Sequence, residues 1–222
     1  MQKPDNLQVV TVVRGAEFEK MLEIGKPRAE RCLGMPVTVL RPGPEENLWV
    51  YKMSLLSKLE APVLCLDTDL LFFNWDWSVF DWNKFNAVLD LPFLKWKTGM
   101  RELGKYYPTQ TSINGGLWYS PYSDEHLRMF HCAKNFIIYE SEKCPYPFGD
   151  QTGLNTAIYR LSTEVNFLPY SYNYHVFQDE PFPCDTKVVH VIGDTLNTPD
   201  GKPHPERKLR RFQKLAQMPP IK

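Results

Sequence analysis

The chain has 222 residues, 43% of them apolar, which is enough for one sizeable core. Its 26 basic and 26 acidic side chains balance, which argues against nucleic acid as the main partner, because duplex binding demands a basic surface. No apolar run approaches the ~20 residues that span a bilayer. The polar stretch Met1 to Asn6 lacks a signal-peptide core, and five cysteines (Cys32, Cys65, Cys132, Cys144, Cys184) without a CxxC spacing read as reduced thiols of a cytoplasmic protein.

The β-branched run Leu7 to Val13 predicts a first strand. Gly15 opens a polar helical stretch that Pro27 is expected to interrupt. Pro36 to Leu40 predicts a second strand, and Arg41 to Glu46 a Pro/Gly turn. Asn47 is an N-cap candidate for a helix with Tyr51, Leu55, Leu56 and Leu59 on one side, ended by Pro62. Val63 to Leu66 is a continuous apolar run, as a strand covered on both faces requires. The Trp- and Pro-rich stretch Asn74 to Pro108 reads as an irregular excursion, long enough to be functional. Strands are expected at Ala87 to Leu91 and Gly116 to Tyr119. Ser123 caps a helix bearing Leu127, Phe130, Ala133 and Ile137, with Asp124 and Glu125 complementing its dipole. Asp150 precedes another helix with Leu154, Ala157, Ile158 and Leu161 on its apolar side. Val188 to Ile192 predicts a late strand, and Pro205 to Gln217 a basic amphipathic helix. In that last helix Lys208, Arg210, Arg211 and Lys214 read as a solvated face beside Leu209, Phe212 and Ala216. Strands alternating with helices imply an α/β layered domain.

The chemistry concentrates where Val63-Leu64-Cys65-Leu66 runs into Asp67-Thr68-Asp69 and then Leu70-Leu71-Phe72-Phe73. Carboxylates one residue apart on extended chain point the same way. Burying both between apolar runs is costly unless a cation or hydrogen-bond donors pair with them. The spacing alone is weak evidence and the apolar context carries the argument. His190, inside Val188-Val189-His190-Val191-Ile192, is either a core histidine or a third ligand. If it joins the aspartates, the imidazole tilts the choice from Mg2+ toward Mn2+.

Leu64-Cys65-Leu66-Asp67-Thr68-Asp69 resembles the strand and DxD motif of GT-A nucleotide-sugar glycosyltransferases. Ser112-Ile113-Asn114-Gly115-Gly116-Leu117, Gly149-Asp150-Gln151-Thr152-Gly153-Leu154-Asn155, Phe167-Leu168-Pro169-Tyr170-Ser171-Tyr172-Asn173 and Val189-His190-Val191-Ile192-Gly193 resemble, in the right order, landmarks of glycosyltransferase family 8, the glycogenin-like group. The resemblance implies a single GT-A domain with a Rossmann-like mixed sheet flanked by helices. Residues 1–110 would form a nucleotide-binding half, 111–204 a donor-sugar and acceptor half, and 205–222 a basic C-terminal helix. It implies a retaining hexosyltransferase that uses a UDP-sugar donor, a saccharide or glycoconjugate acceptor, and Mn2+, with Mg2+ as the alternative.

Asp67, Asp69 and His190 stand at the family's metal-ligand positions. Val12, Val13, Arg14, Phe18, Lys52, Asp67, Thr68 and Gly193 stand where the nucleotide is held, and Asp90, Asn114, Gly115, Asp150 and Gln151 where the donor sugar is held. Asp150 and Gln151 are the catalytic candidates: Asp150 as nucleophile or N-cap, Gln151 as a group orienting the anomeric centre. The lysine that the family often carries past His-x-x-Gly to grip the phosphates has no counterpart, since Asp194-Thr195-Leu196 stand there; either Lys202 or His204 replaces it, or the phosphates rely on the metal and backbone N–H groups. Competing readings are a sugar-phosphate nucleotidyltransferase, for which only Arg14-Gly15 stands in place of a Gly/Arg-rich loop, and a non-catalytic sugar-binding domain of the same fold.

Overall fold

The computed structural model describes residues 2–90, 111–140, 149–176, 182–192 and 205–218. The elements run β1 (Gln8–Val12), α1 (Ala16–Leu33), β2 (Val37–Leu40), α2 (Leu48–Leu56), β3 (Val63–Leu66), β4 (Leu70–Phe72), β5 (Phe85–Leu89), β6 (Ile113–Ser120), α3 (Asp124–Tyr139), α4 (Gly149–Leu161), β7 (Val165–Leu168), β8 (Tyr174–Val176), β9 (Val188–Val191) and α5 (Pro205–Ala216). Two compact units are assembled from interleaved segments. The first comprises Met1–Gln8, Pro42–Cys65 and Val79–Leu168; the second comprises Val9–Arg41, Leu66–Ser78 and Pro169–Lys222.

The first unit carries a mixed sheet in the order β3-β6-β5-β7, with β5 antiparallel to β6 and parallel to β7. Helices α2, α3 and α4 pack on one another, and α4 lies against β6. Every residue of β3 and β6 is buried, which is why β3 reads as an unbroken apolar run without alternation. The β5–β6 ladder is irregular. Ala87 pairs with Trp118 and Leu89 with Ile113, so Val88 alone faces Asn114, Gly115, Gly116 and Leu117. The Gly115-Gly116 pair lies inside the strand, at this bulge. Trp118 anchors the core between Phe85 (centroids 5.5 Å) and Phe130 (5.5 Å).

In the second unit β1 and β2 pair in parallel, and a three-stranded sheet runs β4-β9-β8. Leu70 pairs with His190 across the antiparallel β4–β9 ladder, and His175 with His190 across the parallel β8–β9 ladder. Pro27 does not interrupt α1, which stays helical from Ala16 to Leu33. The missing N–H of Pro27 costs one hydrogen bond, and burial of Met21, Leu22, Gly25, Ala29 and Leu33 along one side outweighs it. Helix α5 docks through Leu209, Phe212 and Leu215 into a cluster with Met21, Leu71, Val176, Val189 and Val191. No helix among the described residues is long and apolar enough to cross a membrane.

Two of the caps behave as the sequence implied, whereas Asp150 stands inside the first turn of α4, which begins at Gly149, and is not its N-cap. The Asn47 carboxamide oxygen accepts from the N–H groups of Trp49 and Val50, and Ser123 accepts from His126 N–H. The buried side of α2 is Lys52, Met53 and Leu56, not the expected row of Tyr51, Leu55, Leu56 and Leu59. The helix ends at Leu56, and its buried side is set by the helices packed on it. Cys32, Cys65, Cys132 and Cys184 are free thiols, and Cys144 lies outside the described residues.

Gly149 opens α4 at φ +51°, with the Trp49 indole lying on it. A Cβ there would stand 2.2 Å from Trp49 Cε2. Gly149→Ala should therefore cost roughly 2–4 kcal/mol. Gly34→Ala, at φ +68° with open space around it, should cost only about 1 kcal/mol. Urea denaturation of both variants checks this; equal losses would mean that the indole swings aside.

Candidate functional site

The first candidate cluster lies in the second unit. Beyond β3 the chain turns at Thr68-Asp69 before entering β4. The carboxylates thus converge by a turn, not by the extended alternation expected from their spacing. The carbonyl of Asp69 accepts from Val191 N–H at 3.0 Å. That bond, with the Leu70–His190 pairing, delivers His190 to the same spot. One ligand atom each from Asp67, Asp69 and His190 lies within 4.8 Å of the others.

The donor set fits a divalent cation. His190 Nε2 stands 3.2 Å from Asp69 Oδ1, yet the contact is not aligned as a hydrogen bond, and Oδ1 is buried without a donor. About 3 Å is the separation of neighbouring ligands around a small octahedral ion. Two carboxylates and an imidazole form an oxygen and nitrogen donor set that a divalent cation can use. These are the residues that would hold such an ion.

Among the described residues, Lys208 and His175 adjoin the cluster. The Lys208 ammonium contacts Asp69 Oδ2, so Lys208 does not lie on a solvated face of α5. It is 13% exposed and lies 5.6 Å from the Phe18 ring centroid. Burial alone would raise the Asp69 carboxyl. The charges of Lys208 and His190, with the Lys208 hydrogen bond, outweigh it and hold the group well below the usual carboxylate range. His175 meets His190 edge-on, with centroids 5.4 Å apart. Burial, and then repulsion from His190, pushes His175 down to about 3.

A second cluster lies in the first unit. Lys52, 4% exposed, pairs with Asp150 Oδ2 at 2.5 Å, while Asp150 Oδ1 accepts Gln151 N–H at 3.0 Å. The Gln151 amide is fixed at both ends: Oε1 accepts from Gly115 N–H at 2.9 Å, and Nε2 donates to Asp90 Oδ2 at 2.8 Å. Asn114 Nδ2 donates to Asp90 Oδ1 at 3.3 Å, and Asn114 Oδ1 accepts from Gly116 N–H at 2.8 Å. The bulge explains the pattern, because Gly115 and Gly116 turn their N–H groups to side chains. Asn155 braces the arrangement. It binds both backbone groups of Ile113 (2.7 and 2.9 Å) and the Gln151 carbonyl (2.9 Å), holding α4 to β6. A Cβ on Gly115 would stand 3.0 Å from Gln151 Cβ, so glycine is what lets the helix start approach the strand.

The structure thus brings together Asp67, Asp69 and His190 in one cluster, and Lys52, Asp90, Asn114, Gly115, Asp150 and Gln151 in the other. Lys52, expected beside a nucleotide, is engaged with Asp150. Of the remaining nucleotide candidates, Thr68 and Val13 are buried, Val12 and Phe18 half-buried and Arg14 exposed; Val13 N–H donates to Leu40 at 3.0 Å. Gly193, the Asp194-Thr195-Leu196 stretch, Lys202 and His204 lie outside the described residues. Sequence reasoning missed Lys208 and His175. A signal for Lys208 existed: it falls at i, i+4 and i+7 with Phe212 and Leu215, on the edge of the docked stripe.

Among solved structures, the chain is similar to a glycosyltransferase involved in the glycosylation of the major capsid of PBCV-1. The TM-score is 0.61 at 13% identity, covering 94% of this chain and 98% of that one. The fold is of the GT-A type. No protein-family model and no curated protein matches the chain.

A buried neutral His175 makes stability depend on pH. The folded state resists the proton, while the unfolded chain takes it below about pH 6.5. Stability is therefore present above that value and drains away as pH falls toward 3. In chelator-treated protein, the wild type should lose roughly 2 kcal/mol more than His175→Gln between pH 7 and pH 5. Urea melts at the two pH values test this; parallel losses would show that the ring is not held neutral.

Proposed function

We propose that the protein is a retaining glycosyltransferase of the family 8 type that moves a hexose from a UDP-sugar to a hydroxyl of a saccharide or glycoconjugate, with Mn2+ bound by Asp67, Asp69 and His190. The observation that carries the reading is the convergence of these three ligands from a turn and a distant strand on a glycosyltransferase fold. A bound divalent cation would neutralise charge on the diphosphate leaving group. Val12, Val13, Arg14, Phe18 and Thr68 are assigned to the nucleotide side, with Gly193 beyond the described residues.

The hexose is assigned to the Asp90, Asn114 and Gln151 cluster. Asp90 takes a donor on each oxygen, which fixes its carboxylate at the hexose assigned there. Gln151, fixed at both ends, orients the anomeric carbon without reorganising. Both Asp150 oxygens are already engaged, one by the Lys52 ammonium, which lowers nucleophilicity and favours a positioning role. The reaction is then a same-face displacement. The acceptor oxygen bonds to the anomeric carbon as the bond to the diphosphate oxygen breaks, and the acceptor proton passes to that leaving oxygen. Configuration is retained without a covalent sugar–protein bond.

A panel of UDP-sugars, scored for hydrolysis and transfer with and without Mn2+, tests the reading. Turnover separates an enzyme from a sugar-binding domain, and release of UDP rather than pyrophosphate separates it from a nucleotidyltransferase. The true donor with Mn2+ should stabilise the fold by about 2.7 kcal/mol at a hundredfold excess over Kd, and Asp69→Ala should abolish that gain. Gln151→Ala should lower kcat roughly 100-fold with Mn2+–UDP binding kept; a loss confined to UDP binding would move Gln151 off the sugar.

A further inference from the structure

The Lys208–Asp69 contact has no place in the transfer chemistry, yet it joins a cation to a carboxylate assigned to the metal. Asp69 is 8% exposed and Lys208 13% exposed, so the pair is largely withdrawn from water and its attraction is little screened. The contact is made through Oδ2, on the carboxylate that turns Oδ1 toward His190. A divalent ion on Asp69 would stand within a few ångströms of the ammonium and repel it.

The lysine can leave without the helix leaving. Helix α5 is held by Leu209, Phe212 and Leu215, whereas Lys208 reaches Asp69 only through its long stem. A second resting place is at hand, since the Phe18 ring centroid lies 5.6 Å from Nζ, within reach of a cation–π contact.

We propose that Lys208 is a built-in competitor for the metal: it neutralises Asp69 while no ion is bound, and Mn2+ enters readily only when an anionic diphosphate draws the ammonium away. The proposal rests on the reading of Asp67, Asp69 and His190 as a metal centre. Metal alone then binds weakly, because it must break a buried ion pair and tolerate a displaced cation. A diphosphate supplies the ammonium with a new partner, so metal and nucleotide each strengthen the other by the same factor. The lysine thereby keeps the centre from filling with whatever divalent ion is abundant before a donor arrives.

Calorimetric titration of Mn2+ into the wild type, Lys208→Met and Lys208→Arg, with and without UDP, tests this. Without UDP, Lys208→Met should bind Mn2+ about tenfold or more tightly than wild type, and Lys208→Arg, which keeps the charge, should stay weak. UDP should raise Mn2+ affinity strongly in the wild type and far less in Lys208→Met. Equal Mn2+ affinity in Lys208→Met and wild type overturns the proposal and leaves the metal centre standing. Absence of Mn2+ binding in all three proteins, UDP included, overturns the centre and the proposal together. Should Lys208→Met fail to fold, amine acetylation of wild-type protein read by mass spectrometry decides. Lys208 should label slowly in metal-free protein, faster with Mn2+ alone and slowly again with Mn2+ and UDP; labelling that ignores Mn2+ overturns the proposal.

Discussion

Asp69 is a carboxylate that water barely reaches, and an uncompensated charge in such a place costs more than the fold can tolerate. The local structure answers that one demand. The turn after β3 aims the side chain inward, the Val191 bond to the Asp69 carbonyl seats β9 beside it, and the strand register brings His190 to one oxygen while α5 brings Lys208 to the other. The apolar cluster under α5 holds the helix where Lys208 can reach. Neutralisation of a single anion thus links three elements that are far apart in the chain.

The other cluster follows a different logic. Its groups are amides, glycine N–H groups and carboxylates, with one ammonium, and nearly all of them hold another member. Gln151 is tied at both ends of its amide, and Asn155 ties the helix start to the strand. Such an arrangement has little freedom left to lose when a ligand arrives, which is the condition for selective binding. Charge compensation governs one cluster and geometric fixation the other.

The sequence showed the strands and candidate ligands whose signal is local. Val63 to Leu66 stood out as a covered strand, and Asp67, Asp69 and His190 stood out because charge and imidazole interrupt apolar runs. Asn47 and Ser123 showed as caps because capping is a matter of one turn. What escaped depended on partners elsewhere. The three-residue strands β4 and β8 are too short for any periodicity. Pro27 looked like a break because the burial that outweighs its missing bond is tertiary. Gly115-Gly116 gave no sign of the bulge, since nothing local marks one inside a strand. Lys208 looked solvated because a basic helix usually is, and only docking showed which lysine faces inward.

The bulge between β5 and β6 has a further implication. In a buried sheet, adding or removing one residue normally flips every side chain beyond it to the wrong face. Between Ile113 and Trp118 the ladder with β5 has lost its regular repeat, but β6 is also hydrogen-bonded to β3, and that edge still has a parity to protect. Chain length at this stretch is therefore fixed from the β3 side alone. A lineage would reshape the surroundings of Asn114 by exchanging side chains, leaving insertion and deletion to surface loops.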